Sequence, residues 1–208
     1  MLITRKYFLY FVLTGLFIVG QLKSIAQNMN TSYEKTTLAA GCFWCVEAIY
    51  KELNGVIKVE SGFSGGHVVN PSYSDVCKGT TGHAEVCQST YDTNIVTFEE
   101  ILEVFFKTHN PTTLNRQGND VGPHYRSAIF YHNEEQKSIA TDIIGALTEA
   151  QVFSSPIVTE ITAYSSFYDA GNYHKDYFEL NGEQPYCSFI IKPKLDKFRK
   201  VFEDKLKK

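Results

Sequence analysis

Apolar and polar residues alternate along the chain with two different periods, which predict a mixture of helices and strands. The clearest helical period follows a capping box, Thr97 with Glu100, and places five apolar residues on one face: Phe98, Ile101, Leu102, Phe105 and Phe106. Further helices are predicted over 43–53, over 133–150 and in the basic segment after Pro193. Strands are predicted over 35–40, 56–63, 84–92, 128–131 and 157–164.

Two long polar segments, residues 64–83 and 109–127, interrupt this succession of elements. Loops of this length in a compact domain usually carry function. Residues 27–34 form a short polar lead, and residues 35–208 contain all the predicted elements. The pattern indicates an α+β fold: a single-domain, two-layer sandwich with a mixed sheet, flanking helices and long functional loops.

The N-terminus has the pattern of a secretory signal peptide. Arg5 and Lys6 precede an apolar run from Tyr7 to about Gly20, and Ser24-Ile25-Ala26 fits a small-x-small cleavage site. The run is shorter than the roughly 20 apolar residues of a membrane span. We therefore expect residues 1–26 to be removed and the protein to be exported, periplasmic or secreted, without a stable membrane span. An uncleaved leader that tethers the protein to the membrane is the alternative.

Charge and cysteine content narrow the class of protein. Cleavage after Ala26 would remove three basic residues and no acidic one, which changes the net charge from −3 to −6. An acidic chain without a basic patch argues against nucleic acid as a partner. Five cysteines, at positions 42, 45, 77, 87 and 187, leave at least one thiol unpaired or engaged in exchange in an exported protein. A monomer is the default expectation.

The segment AAGCFWCVEAIY, residues 39–50, places two cysteines at the start of the first predicted helix. The free N–H groups and positive dipole of a helix N-terminus favour a thiolate, so we expect a lowered pKa and nucleophilic character for Cys42. Cys45 lies one turn further on and could resolve an oxidised Cys42. Phe43 and Trp44 could enclose a small apolar pocket beside the sulfur, suited to a methyl group or a thioether. Two buried structural cysteines on a core helix would show the same pattern.

Three other classes of protein were compared with the sequence: zinc-binding proteins, thioredoxin-like oxidoreductases and secreted binding proteins. A zinc ribbon needs a second closely spaced cysteine pair, whereas nine residues separate Cys77 from Cys87, so no metal is expected, and no organic cofactor is implied. A thioredoxin-like disulfide oxidoreductase usually faces its cysteine pair with a proline-marked loop, for which Pro71 and Pro185 are weak candidates. A secreted binding protein would lock its cysteines in structural bridges and have no titratable thiol at Cys42.

Five segments, occurring in this order, resemble the peptide methionine sulfoxide reductase A family: GCFWCVEA, SGFSGG, PSYSDVCKGTTGHAEV, HNPTTLNRQGNDVGPHYRSAIF and NYHKDY. The likeness extends from about residue 36 to about residue 192. It implies an enzyme that reduces the S epimer of methionine sulfoxide, free or in proteins, and so repairs oxidised proteins. It also implies an external dithiol reductant, usually thioredoxin-like, as the electron donor.

The resemblance assigns a role to each matching residue. Cys42 would be the nucleophile and Glu85, in GHAE, the proton donor. Tyr73 and Tyr125 would donate hydrogen bonds to the sulfoxide oxygen. The remaining matching residues would form the substrate's S-methyl pocket or line and support the site: Phe43 and Trp44 for the pocket, and Asp120, His174, Tyr177 and Tyr186 around it.

These roles fit the chemistry of sulfoxide reduction. A sulfoxide becomes a good electrophile only when its oxygen is protonated, so an acid must lie close to the thiolate. A carboxylic acid stays protonated at neutral pH only where a water-poor pocket raises its pKa. Attack leaves a sulfenic acid on Cys42 and releases methionine, and a second thiol then condenses with the sulfenic acid to form an intramolecular disulfide. An external dithiol restores Cys42 by exchange.

Three departures from the family pattern qualify these roles. The family often has glycine where this chain has Cys45, and an acidic residue is common where it has Gly171, which weakens the assignment of His174 and Tyr177. The tail also lacks the glycine-rich ending with a further cysteine that longer members have.

The departures at position 45 and in the tail leave the resolving cysteine open. Cys187, in a tail Tyr-Cys pair typical of many members, is the first candidate, and Cys45 is the second. Cys77, Cys87 and His124 are interpreted as structural.

Overall fold

A six-stranded mixed sheet forms the centre of the fold in the computed structural model, which describes residues 32–208. Its strands in chain order are β1 (Tyr33–Ala40), β2 (Val56–Ser64), β3 (Ala84–Asp92), β6 (Ser127–Tyr131), β7 (Glu160–Ala163) and β8 (Tyr168–Asp169). The spatial order is β7-β6-β1-β3-β2-β8, with β6 and β7 parallel and the other neighbours antiparallel. A separate ribbon joins β4 (Arg116–Gln117) and β5 (Asp120–Val121).

The described residues also contain six α-helices: α1 (Phe43–Glu52), α2 (Tyr73–Cys77), α3 (Phe98–Thr108), α4 (Glu134–Glu149), α5 (Tyr177–Leu180) and α6 (Lys192–Val201). The capping box of α3 is present with both of its hydrogen bonds, and the Asn133 side chain caps α4. A π-helical turn, Cys187–Ile191, leads directly into α6. Pro193 is tolerated there because the first turn of a helix needs no donor at that position.

Alternation along the strands divides the buried apolar residues into two layers. Leu38 and Cys87 belong to the main core, where α1, α3 and α6 pack, whereas their neighbours Ala39 and Val86 belong to a smaller cluster with Phe130. Successive strand residues point to opposite faces of a sheet, so the two clusters lie on opposite faces. Glu85, two residues before Cys87, therefore points towards the helices of the main core.

The predicted α+β class with a mixed sheet and flanking helices is confirmed, and several elements differ from their predicted extent. The strand predicted over 157–164 is limited to Glu160–Ala163, since the Val158 N–H donates to the Pro111 carbonyl instead of to a sheet partner. The segment predicted as loop over 64–83 contains α2, which Ser72 caps by accepting a hydrogen bond from the Asp75 N–H.

The N-terminal boundary differs slightly as well. Strand β1 begins at Tyr33, two residues before the predicted strand, because Tyr33 and Glu34 pair with Asp92 and Tyr91 of β3. The predicted signal peptide, residues 1–26, lies outside the described residues. Within residues 32–208, no helix combines the length and the apolar character needed to cross a membrane.

Candidate active site

The turn between β1 and α1 positions Cys42. Gly41 adopts a φ of +87°, a conformation that disfavours any residue with a side chain, and a Cβ atom there would lie 2.5 Å from the Cβ of Gln117. This glycine lets the chain reverse so that Cys42 becomes the N-cap of α1. The Cys42 thiol is buried, at 6% exposure, where α1 meets the sheet.

Glu85 of β3 lies directly beneath this helix start. One carboxyl oxygen, Oε2, accepts a hydrogen bond of 3.1 Å from the backbone N–H of Phe43, the residue that follows the nucleophile. The side chain is 1% exposed. Burial raises the pKa of Glu85 to about 8, with a smaller contribution from the negative groups Asp120 and Cys45. The carboxyl is therefore protonated at neutral pH, as the chemistry of a proton donor requires.

The two thiols of the CxxC segment behave differently from the expectation for a lone helix N-terminus. Burial raises the pKa of Cys42 well above its ordinary value, and Cys45 and Glu85 raise it further. The pKa of Cys45 is lowered, first by the hydrogen bond from the Cys42 thiol and then by the positive charge of Lys194. The expected lowering for Cys42 is thus wrong in this geometry, because burial and neighbouring negative groups outweigh the helix N-terminus. Of the two thiols, Cys45 therefore has the lower pKa.

Aromatic rings enclose the space beside Cys42. Trp44 stacks on Tyr177 with ring centroids 3.6 Å apart and an interplanar angle of 5°. Its indole N–H donates to Nδ1 of His174 at 3.2 Å, and His174 in turn lies 4.4 Å from the Tyr73 ring, centroid to centroid. Phe43 is buried in the same cluster, with its ring centroid 5.2 Å from that of His174. These rings form one cluster of aromatic side chains that includes Phe43 and Trp44, the two residues predicted to contact a methyl group.

Three tyrosines complete the site: Tyr73 and Tyr125, whose hydroxyls can donate to a substrate, and Tyr186, whose hydroxyl is bonded to Asp120. Tyr73 and Tyr125 are half-buried, and burial followed by other groups, Glu85 among them, raises the pKa of both phenols. Both therefore stay protonated and can donate to an oxygen near Glu85. Tyr186 donates a hydrogen bond of 2.7 Å to Oδ2 of Asp120, and it also lies within hydrogen-bonding distance of the Cys42 and Cys45 thiols.

The remaining cysteines are free thiols in three environments. Cys187 is fully buried, and its pKa is raised by burial and then by the charge of Cys45. The Cys87 thiol is also buried and donates to the Phe43 carbonyl at 3.3 Å, consistent with a structural role. Cys77 is exposed and forms a hydrogen bond with the Tyr73 hydroxyl. The prediction that Cys77 is structural did not anticipate this contact with a site residue.

Two functional neighbours of the site were missed from the sequence. Glu47 is buried on α1 and accepts a hydrogen bond of 3.2 Å from the Asp176 N–H, which fixes the segment that carries Tyr177. Lys194 of α6 places its ammonium nitrogen 3.9 Å from the Cys45 sulfur. No local pattern marks either residue, because each contact joins distant parts of the chain. Residues 32–208 contain no group of three or more His, Cys, Asp or Glu side chains placed to hold a metal ion.

A thiol pair at a helix start, a buried protonated carboxyl beneath it and an enclosing aromatic pocket define a thiol-dependent oxidoreductase. The family model described as "Peptide methionine sulfoxide reductase" matches residues 34–206. The chain belongs to that family.

Individual relatives and solved structures agree with this membership. The chain is 53% identical over 174 residues to "Peptide methionine sulfoxide reductase MsrA" of Saccharolobus solfataricus. This alignment covers 84% of this chain and 97% of the relative. A relative of the same name from Thermus thermophilus is 48% identical, with 84% and 98% covered. The reduced form of Mxr1 from Saccharomyces cerevisiae superposes with a TM-score of 0.69 at 34% identity, covering 76% of this chain and 91% of Mxr1. Methionine sulfoxide reductase A of Corynebacterium diphtheriae gives 0.65 at 31%, covering 74% and 77%.

Proposed function

We propose that this protein reduces the S epimer of methionine sulfoxide, free or in proteins, with Cys42 as the nucleophile and Glu85 as the proton donor. Thiol-dependent reduction of methionine sulfoxide is the activity of the family to which the chain belongs. One observation carries the assignment of roles: a buried carboxyl with a pKa of about 8 is hydrogen-bonded to the residue adjoining the Cys42 thiol.

Substrate binding uses the aromatic pocket and the tyrosine hydroxyls. Phe43 and Trp44 contact the S-methyl group, with Trp44 held in place by its stacking on Tyr177. Tyr73 and Tyr125 donate hydrogen bonds to the sulfoxide oxygen, which becomes more basic as charge shifts onto it during attack. The supporting residues act on these side chains: His174 through the Trp44 indole and Asp120 through Tyr186.

The first chemical step oxidises Cys42 and reduces the substrate. The Cys42 sulfur attacks the sulfoxide sulfur, Glu85 gives its proton to the oxygen, and the Cys42 proton passes along its hydrogen bond to Cys45. The hydroxyl group ends on Cys42 as a sulfenic acid, and the substrate leaves as methionine. The two electrons that reduce the sulfoxide come from the Cys42 sulfur.

Recycling uses the second thiol of the pair first. Cys45 forms a hydrogen bond with the Cys42 thiol, whereas Cys187 is fully buried and interacts electrostatically with Cys45. This arrangement favours a Cys42–Cys45 disulfide, with Cys187 placed to exchange with it afterwards. The order of preference between Cys187 and Cys45 is thereby reversed from the one that the tail pattern suggests.

The cellular setting is also proposed. The leader pattern of residues 1–26 supports export to the periplasm or exterior, and a thioredoxin-like dithiol protein is the electron donor that the disulfide requires. The enzyme acts as a monomer in this proposal.

A reductant-free turnover experiment tests the assignment. Purified residues 27–208 are incubated with each epimer of a blocked methionine sulfoxide, and methionine is quantified per enzyme. We expect about one equivalent from the S epimer, none from the R epimer, and none from Cys42→Ser. Cys77→Ser, which replaces an exposed thiol with a hydroxyl group that can still bond to Tyr73, is the matched control. No methionine from either epimer, together with continued exchange between the Cys42–Cys45 pair and a small disulfide, would favour a thioredoxin-like oxidoreductase.

A further inference from the structure

Lys194 approaches the site from the C-terminal helix and contacts one of its two thiols. The side chain is partly buried on α6, and its Nζ lies 3.9 Å from the Cys45 sulfur. The neighbouring Lys192 is paired with Asp196. Lys194, in contrast, has no carboxylate within ion-pair distance among residues 32–208. The Cys45 sulfur is thus the group in the described chain that its ammonium faces.

The surroundings of Lys194 supply no competing negative charge. It lines a cavity of about 500 Å³, whose other polar walls include Lys107, His109, Gln117 and Lys197. Burial lowers the pKa of His109 to about 4, so this imidazole is neutral at physiological pH. No carboxylate of residues 32–208 lines this cavity. The electrostatic attraction of the Lys194 ammonium to the Cys45 sulfur is therefore stronger than its attraction to any residue that lines the cavity.

The charges around Cys45 come from several elements. These titratable groups are Cys42 on α1, Glu85 and Cys87 on β3, Asp120 on β5, Tyr186 and Cys187 before α6, and Lys194 on α6. Every member except Lys194 is neutral or negative. Lys194 is therefore the cation that opposes this negative surrounding at the Cys45 sulfur.

We propose that Lys194 is a positioning residue that holds Cys45 as the thiolate of the pair and thereby makes Cys45 the thiol that attacks the Cys42 sulfenic acid. The proposal rests on the proposed function, because it requires a sulfenic acid on Cys42. In the step itself Cys45 gives up the proton that it received from Cys42, and the resulting thiolate, opposite the Lys194 ammonium, forms an S–S bond to Cys42 as the S–O bond of the sulfenic acid breaks. That proton joins the departing hydroxide, which leaves as water.

Alkylation of Cys45 tests the charge contribution without any substrate. In a Cys42→Ser background, the rate of Cys45 modification by iodoacetamide is followed against pH by peptide mass spectrometry. Lys194→Met, which keeps the length of the side chain but removes its charge, should raise the midpoint by about one pH unit. Lys194→Arg should restore it. Lys197→Met, on the same helix and lining the same cavity, is the matched control and should leave the midpoint unchanged. An unchanged midpoint in Lys194→Met would overturn the proposal.

Trapping of the sulfenic acid tests the chemical consequence. With Cys42 intact, one equivalent of blocked methionine S-sulfoxide is added without reductant, and a cyclic 1,3-diketone traps the sulfenic acid at successive times. We expect Lys194→Met to prolong its lifetime about threefold, because a tenfold smaller thiolate fraction is partly offset by the greater nucleophilicity of the more basic thiolate. Lys194→Arg should restore the wild-type lifetime, and the first disulfide should join Cys42 to Cys45. A wild-type lifetime in Lys194→Met, or a first disulfide between Cys42 and Cys187, would contradict the proposal.

The two failures are distinguishable. If wild-type protein forms no methionine, the proposed function fails, whereas the alkylation midpoint still reports whether Lys194 acts on Cys45. If methionine forms normally and neither readout responds to Lys194→Met, the proposed function stands and the inference about Lys194 is wrong. Urea unfolding of each variant separates these effects from a general loss of stability.

Discussion

Replacing Glu85 with glutamine should change the pH dependence of folding stability in a calculable way. Glu85 is 1% exposed, and its pKa rises from an ordinary value of 4.5 to about 8 in the folded protein. Below about pH 4.5 the carboxyl is protonated in both the folded and the unfolded chain. Between pH 4.5 and 8 the unfolded chain ionises while the folded protein retains the proton, so the free energy of unfolding falls as the pH rises.

The size of the effect follows from the two pKa values. At pH 7 the interval above 4.5 is about 2.5 pH units, and each unit corresponds to about 1.4 kcal/mol, so Glu85 lowers the stability by about 3 kcal/mol. Glutamine does not titrate, and its carbonyl can still accept the Phe43 N–H. Its buried NH2 group adds a penalty of about 1–3 kcal/mol, which is the same at every pH. The difference in stability between Glu85→Gln and wild type should therefore shift by about 3 kcal/mol in favour of the variant from pH 4.5 to 7.

Urea denaturation followed by Trp44 fluorescence measures this shift. Wild type and Glu85→Gln are unfolded at pH 4.5, 6, 7 and 8.5 in buffers of equal ionic strength. Glu135→Gln, at an exposed position of α4, is the matched control for removing one carboxylate. A stability difference that stays constant over this range, or that moves against the variant, would refute the assignment of a protonated Glu85 at neutral pH.

Three further outcomes follow from the same geometry. The rate of methionine formation in a single turnover should fall as the pH rises through about 8, because Glu85 then loses the proton that it must donate; a rate that is flat to pH 9.5 would exclude it as the acid. Gly41→Ala should lower the free energy of unfolding by about 2–4 kcal/mol, because it combines a φ of +87° with a clash against Gln117. Gly145→Ala, with open space around its Cβ, is the control and should be neutral or slightly stabilising in the same urea titration. Tyr186→Phe removes a hydrogen bond to the Asp120 carboxylate and should reduce the rate of methionine formation about tenfold, the factor expected for loss of one charge-assisted hydrogen bond. A change in stability without a change in rate would assign this tyrosine a purely structural role.

Local patterns were sufficient for the elements that frame the site. The capping residues Thr97 and Glu100 and the apolar face behind them predicted α3, and both capping bonds are present. The helix predicted over 43–53 is present as α1, Phe43–Glu52. By contrast, α2 was missed, since five residues are too few to establish a helical period, although Ser72 followed by Asp75 is a readable capping signal.

The chemical state of the site was decided by tertiary structure. The sequence determined that a thiol stands at a helix N-terminus and, by resemblance, that a glutamate acts with it. It did not determine which thiol carries the charge, because the pKa values of Cys42 and Cys45 depend on burial and on groups from β3, β5 and α6. Lys194 is 149 positions from Cys45, so no local pattern could join them. Helical periods and caps depend on neighbouring residues and can be read along the chain, whereas desolvation and Coulomb interactions depend on distances that exist only after folding.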